Sequence, residues 1–180
     1  MPIVKSQEAE NYGIRVTATL MCTAARTAPK AKGVDNIVSC LVDKQEKQNV
    51  VETMRQIAKD FNNDTFARDA DSVEKAHILV LIGTKISPVN LKLCGLCGFK
   101  NCVECVEKNG ICIFNPGDLG IAVGSAVAIA ADNRIDNRIM YTAGFAAVKL
   151  NLLGKEVKIA YGIPLSATAK NIFFDRKQSD

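Results

Sequence analysis

Residues 76–83 read Ala-His-Ile-Leu-Val-Leu-Ile-Gly. An unbroken apolar run of strand length, closed by a glycine, is the pattern of a β-strand covered on both faces, because successive side chains point to opposite sides and both sides are then buried. A central strand over Ala76 to Ile82 follows, with helical layers needed to cover it. Upstream, Asn36 to Val42 (NIVSCLV) is short, rich in β-branched residues and flanked by Gly33 and Asp43, which predicts a second buried strand. Between the two strands, Val50, Val51, Met54, Ile57 and Ala58 form the apolar stripe of a helix over Gln48 to Asp60. Phe61 to Ser72 is polar and predicts a loop with a turn of helix.

The N-terminal segment from Ser6 to about Ala28 has helical periodicity. Ser6 is its expected N-cap, Glu8 and Glu10 lie near the positive end of the dipole, and Pro29 is its stop. Downstream, Asp118 is the expected N-cap of a helix that is small or apolar nearly all round, to be buried against the sheet or a partner subunit. Arg138 to Thr142 predicts a strand, Phe145 to Leu153 a helix ended by Gly154, and Glu156 to Ile163 a last strand ended by Pro164. Strands alternating with helices give an α+β fold in α/β layers. The length suits one domain, residues 1–180.

Composition narrows the function. The 23 basic residues are scattered among 19 acidic ones, and there is no Trp, so neither a basic stripe nor a stacking platform for nucleic acid is expected. Lys5, Glu8, Glu10 and Arg15 interrupt any signal-peptide pattern, and the uncharged apolar stretch Leu119 to Ala131 is shorter than the ~20 residues that span a bilayer. A cytoplasmic protein with no membrane or nucleic-acid partner is expected. Its single histidine, His77, has no partner nearby in sequence and reads as structural. Cys22 and Cys40, on apolar faces, read as small buried hydrophobes.

Five of the seven cysteines fall between Cys94 and Cys112, inside a Cys-rich insert over residues 91–115. Cys94, Cys97, Cys102, Cys105 and Cys112 follow the pattern C-x2-C-x4-C-x2-C-x6-C. A C-x-x-C turn aims two sulfurs at one point, and Gly95 and Gly98 relieve the backbone so that amide N–H groups can turn toward anionic sulfur. Two zinc knuckles are ordinarily separated by about 15–20 residues, whereas these lie much closer, so the spacing favours an iron–sulfur cluster over zinc, which is kept as the alternative occupant. Glu104 and Glu107 read as solvated charges.

C-G-x-C-G-F-x-x-C followed by a further cysteine resembles the small [4Fe-4S] domain of several anaerobic redox proteins. That resemblance implies Cys94, Cys97, Cys102 and Cys112 as ligands, with Cys105 the alternative. Taken with AARTAPKAKGVDN, DLGIAVGSAVAIAAD and NRIMYTAGFAAVKLNLLGKEVKIAYGIPLSATAKNIFFDR, the chain resembles a family of uncharacterised prokaryotic proteins containing a ferredoxin domain. The implied function is iron–sulfur electron transfer or an oxidoreductase component, with its redox partner protein unidentified. The competing class is a zinc-stabilised interaction module. Without the insert, the order of elements is similar to the flavin-dependent nitroreductase fold, a mixed sheet flanked by helices in an interlocked homodimer. This second resemblance implies FMN held near Lys30, Gly144 and the basic pair Arg176 and Lys177, with Thr142 to Phe145 as a loop at the ring. That family's Arg-rich N-terminal phosphate motif has no counterpart here.

Overall fold

Side chains of alternating direction on one strand decide how the layers assemble. A computed structural model describes residues 3–174. In it β2, Ile78–Lys85, lies between β1, Ile37–Val42, and β4, Val157–Ser166, and a two-residue strand β3, Asp136–Asn137, completes the order β1-β2-β4-β3. Every described pairing is antiparallel. Leu79 and Leu81 face one core and Ile78, Val80 and Ile82 the other, and all five are buried, as the unbroken apolar run requires.

The first core is closed by α2, Lys44–Asp60, α3, Asp64–Lys75, and α6, Tyr141–Lys149, through Val50, Met54, Phe66, Val73 and Ala146. The second is closed by α1, Ser6–Thr27, and α5, Phe114–Asp132, through Ile14, Met21, Leu119 and Ala126. Small residues bring α1 and α5 close enough for the Ser125 hydroxyl to donate to the Ala24 carbonyl at 3.1 Å. The remaining helix, α4, Cys102–Glu107, belongs to the segment between β2 and α5.

Several boundaries differ from the sequence reading, each for a local reason. Lys5, not Ser6, occupies the α1 N-cap position. α2 begins at Lys44, a turn earlier than its apolar stripe. The polar stretch after Phe61 is a full helix, because the Asn63 side chain accepts from the Thr65 and Phe66 N–H groups and Phe66, Ala70 and Val73 recur on one face. α5 starts at Phe114, with Pro116 in the first turn where its missing N–H is not needed. Asp118 is therefore no cap; its buried carboxylate accepts from the Ala31 N–H at 3.1 and 3.2 Å and ties α5 to the turn after α1.

The predicted strand at Arg138 reduces to β3 and a bridge between Met140 and Gly162, and α6 starts at Tyr141. β4 runs through Pro164 instead of ending there. Gly162 exchanges its hydrogen bonds with Met140, away from β2, and Pro164, two residues on, faces the same side, in the gap before β3 pairs with Leu165 and Ser166. By length and composition α5 is apolar enough to cross a membrane, yet its Leu119, Ala122, Ala126 and Ala130 are buried beneath α1 and the sheet.

Candidate functional site

One end of the sheet collects most of the chemistry. β1 begins there, β2 ends and β4 begins, since Ile37 pairs with Thr84 and Thr84 with Ile159. The turn after α1, the whole cysteine segment and the start of α5 are attached to the same end. A short 3-10 turn, Ala31–Gly33, carries Lys32, whose ammonium donates to the Val89 carbonyl at 3.3 Å. The Ser87 N–H donates to the Asn115 side-chain oxygen at 3.0 Å. These two contacts pin the segment as it leaves β2.

Within the segment the backbone is shaped for turns. Gly95 and Gly98 both have positive φ, and the Gly98 N–H donates to the Gly95 carbonyl at 2.9 Å, so the C-x-x-C stretch closes on itself. α4 then starts with a reciprocal cap. The Asn101 side chain accepts from the Glu104 N–H, while the Glu104 carboxylate accepts from the Lys100 N–H at 2.7 Å and the Lys108 ammonium at 2.8 Å. The Lys108 and Lys100 bonds hold the Glu104 carboxyl below the usual carboxylate range. A residue read as a solvated charge is thus the cap of the cysteine helix.

All seven cysteines are free thiols. Cys105 is 2% exposed. Burial pushes its thiol above the ordinary range, and a hydrogen-bonding contact with Cys97 and the nearby Cys97, Cys112 and Cys102 sulfurs push it further. Cys97, Cys102 and Cys112 thus all lie in electrostatic reach of Cys105. Cys94 is half-buried at the start of the glycine turn. Among the described residues no three His, Cys, Asp or Glu side chains form a closed metal cage; the thiols are gathered without being drawn to a single point.

Cys105 and Cys112 line a cavity of about 420 Å³, with Ile86, Pro88, Ile111 and Lys158 among its other walls. Gly110 allows this packing, since a Cβ there would lie 2.3 Å from the Phe99 ring and 3.0 Å from the Cys105 sulfur. Three residues beyond Cys112, the buried Asn115 keeps a side-chain NH2 with no hydrogen-bond partner among the described residues. A buried unpaired donor is costly unless an acceptor arrives, and anionic sulfur is such an acceptor. The donor set, the cavity and this orphaned amide fit a thiolate-bound cluster. Asn115 was not legible as a site residue, because nothing in its sequence surroundings marks it as buried.

The residues singled out for flavin are placed elsewhere in the physics. Lys30, its side chain 5% exposed, donates to the Ala25 carbonyl at 2.7 Å and the Arg26 carbonyl at 2.5 Å, so its ammonium caps the C-terminus of α1. It also stands 3.9 Å from Asp35. Burial raises the Asp35 pKa, but Arg26, the Ile37 N–H and Lys30 outweigh it and hold the carboxyl below its ordinary range. Thr142 to Phe145 is the first part of α6 and not a loop. A Cβ on Gly144 would come 1.9 Å from the Ala160 carbonyl oxygen, so close helix–strand contact is what demands glycine there. Arg176 and Lys177 lie outside the described residues.

Cys22 and Cys40 face different cores across the sheet, and burial, with Cys22 nearby, pushes the Cys40 thiol up to about 11. His77 is exposed, its backbone N–H donating to the Leu165 carbonyl at 2.9 Å.

The fold is nitroreductase-like. It superposes on a BluB-like flavoprotein from Clostridium difficile 630 with a TM-score of 0.57 at 17% identity, covering 99% of this chain and 86% of that one. A nitroreductase family protein from Clostridium novyi NT matches with a TM-score of 0.54 at 14% identity over 85% and 74% of the two chains. An oxidoreductase containing FMN matches with a TM-score of 0.56 at 14% identity over 87% and 68%.

By sequence, an uncharacterized protein of Archaeoglobus fulgidus is 39% identical over 97% of each chain. Residues 108–176 match the family model "Uncharacterized protein containing a ferredoxin domain (DUF2148)". The chain belongs to this family of uncharacterised, ferredoxin-domain-containing proteins. The matched stretch contains Cys112 but begins after the other four clustered cysteines.

Proposed function

We propose that this protein is an iron–sulfur redox protein of ferredoxin type, an electron carrier or oxidoreductase component, with a [4Fe-4S] cluster held by the cysteine segment. The observation that carries the reading is that the buried Cys105 and Cys112 line one cavity, with Cys97 and Cys102 in electrostatic reach of Cys105. These four are the proposed ligands. The resemblance to the small [4Fe-4S] domain implies Cys94 where we propose Cys105. A bound cluster supplies one-electron transfer. The chain's own part is to exclude water with Phe99 and Ile86, to hold α4 in place through Asn101 and Glu104, and to present the Asn115 amide to sulfur.

Anaerobically purified protein is expected to be brown, to bleach with dithionite and to carry about four irons and about four acid-labile sulfides per chain. Cys105→Ser removes the colour and most of the iron, whereas Cys94→Ser keeps them; the reverse outcome restores the ligand set that the resemblance implies. Colourless protein with stoichiometric zinc and no sulfide replaces this function with a zinc-stabilised interaction module.

A second reading, FMN bound beside the cluster, is supported by the fold, which this chain has in common with an oxidoreductase containing FMN. Heat release of a yellow chromophore with flavin fluorescence tests it. Two copies of the chain are further proposed to pair through α1 and α5, whose outer surfaces leave Tyr12, Val16, Leu20 and Ile121 exposed. A monomeric mass by light scattering contradicts that pairing. The redox partner protein is proposed to dock near the thiol end, and the compartment proposed is the cytoplasm.

A further inference from the structure

On the face of the sheet opposite α1 and α5, a cavity of about 450 Å³ opens between the C-terminal end of α2, the outer side of α6 and the start of β4. That size lies within the range of small-molecule sites, and the space is concave, where a protein partner is ordinarily met by a flatter patch. Four aromatic residues line it: Phe61, Tyr141, Phe145 and Tyr161. Phe61 is 74% exposed, and Tyr141 and Phe145 are exposed as well, an unusual loss of burial for large rings.

Two of the four rings are nevertheless held in place. Buried Phe66 meets Tyr141 edge-on with centroids 5.8 Å apart at 86°, and Phe145 in the same way at 6.0 Å and 82°. With Tyr141 and Phe145 already fixed, a flat ligand binds there at a reduced ordering cost.

The charge of the lining is one-sided. Lys149 and Lys158 border the cavity, and among the described residues no acidic side chain does. Lys149 lies in the last turn of α6, and the Lys158 ammonium donates to the Lys155 carbonyl at 3.0 Å, which leaves donors to spare. An apolar aromatic body with one anionic edge matches such a slot: the ring system fills the aromatic part and the carboxylate meets the lysines. We propose that this cavity binds a planar aromatic carboxylate. Because Lys158 also lines the thiol cavity, the bound acid would adjoin the redox site; the binding itself does not depend on cluster or flavin.

Calorimetric titration of the purified full chain with 2-naphthoate, and with its neutral isostere 2-naphthamide, tests the assignment. One saturable naphthoate site per chain is expected, with naphthamide bound at least about tenfold more weakly. Lys149→Gln and Lys158→Gln each weaken naphthoate about two- to fivefold and leave naphthamide unchanged. Phe145→Ala weakens both about tenfold. Since Phe145 packs on Phe66, Phe61→Ser serves as the second variant, its ring being mostly in solvent. Absence of saturable binding, equal affinity for the two probes, or lysine variants with unchanged naphthoate affinity overturns the proposal. If the wild type binds neither probe and Phe61→Ser lowers its mass by light scattering, the slot is a seat for a second copy instead.

Discussion

The layered frame and the cysteine segment are stabilised by different means. In the frame, β2 is buried on both faces, and each core is an apolar cluster spanning several elements. Between β2 and α5 the chain leaves Leu93, Leu96, Val103, Val106, Ile111 and Ile113 exposed, with Leu93 at 96%, and gathers thiols in place of aliphatic side chains. A segment that buries so little apolar surface cannot offset its ordering entropy by burial alone. What shapes it is glycine turns, an Asn–Glu helix cap and sulfur, and this is the condition under which a metal contributes folding energy directly.

The contrast can be attacked first where burial is deepest. Leu81→Ala opens a cavity in the first core and is expected to cost about 2–5 kcal/mol in urea unfolding. The opposing measurement is Leu96→Ser in the segment, expected to change global stability by no more than about 0.5 kcal/mol. Comparable losses in the two variants would break the distinction. Removing metal anaerobically with a chelator sharpens it further. Hydrogen exchange is expected to quicken at amides of 94–112 while those of β2 stay protected. Loss of protection in β2 as well would make the segment part of the frame.

Capping gives a smaller effect. Asn63→Ala is expected to lower stability by about 1 kcal/mol, because α3 packs into the first core. Asn101→Ala removes the corresponding cap of α4 and is expected to show only in local exchange, with the denaturation midpoint unchanged. The smallest effect is in acid. Glu104 titrates below its ordinary value, so the stability it lends α4 is present above that ordinary value and is lost as pH falls through the depressed one. Protection of the Lys108 amide, which donates to the Glu104 carbonyl, is the readout. Protection unchanged down to pH 2 would show that the Lys108 and Lys100 contacts contribute nothing to the helix.

Much of the frame was readable because its signals are local. AHILVLIG carries its own burial pattern, and Pro29 ends α1 where expected. The α3 helix was less visible: its charged outer face dominates composition, and only Asn63 with the Phe66, Ala70 and Val73 spacing signals it. Asp118 and Pro164 misled for the same reason, since each is read as punctuation when isolated. One instead spans to Ala31, and the other faces a gap in the ladder.

The amino-acid order by itself determined the strand and helix periods and the crowding of five cysteines into one short stretch. Both are properties of neighbours along the chain, set by side-chain direction and backbone sterics. Folding alone decided that Cys105 stands among the other thiols, that Lys30 closes a helix end, and that rings from α2, α6 and β4 meet around one cavity. The last of these joins residues about a hundred positions apart, which only antiparallel pairing and layer packing bring together.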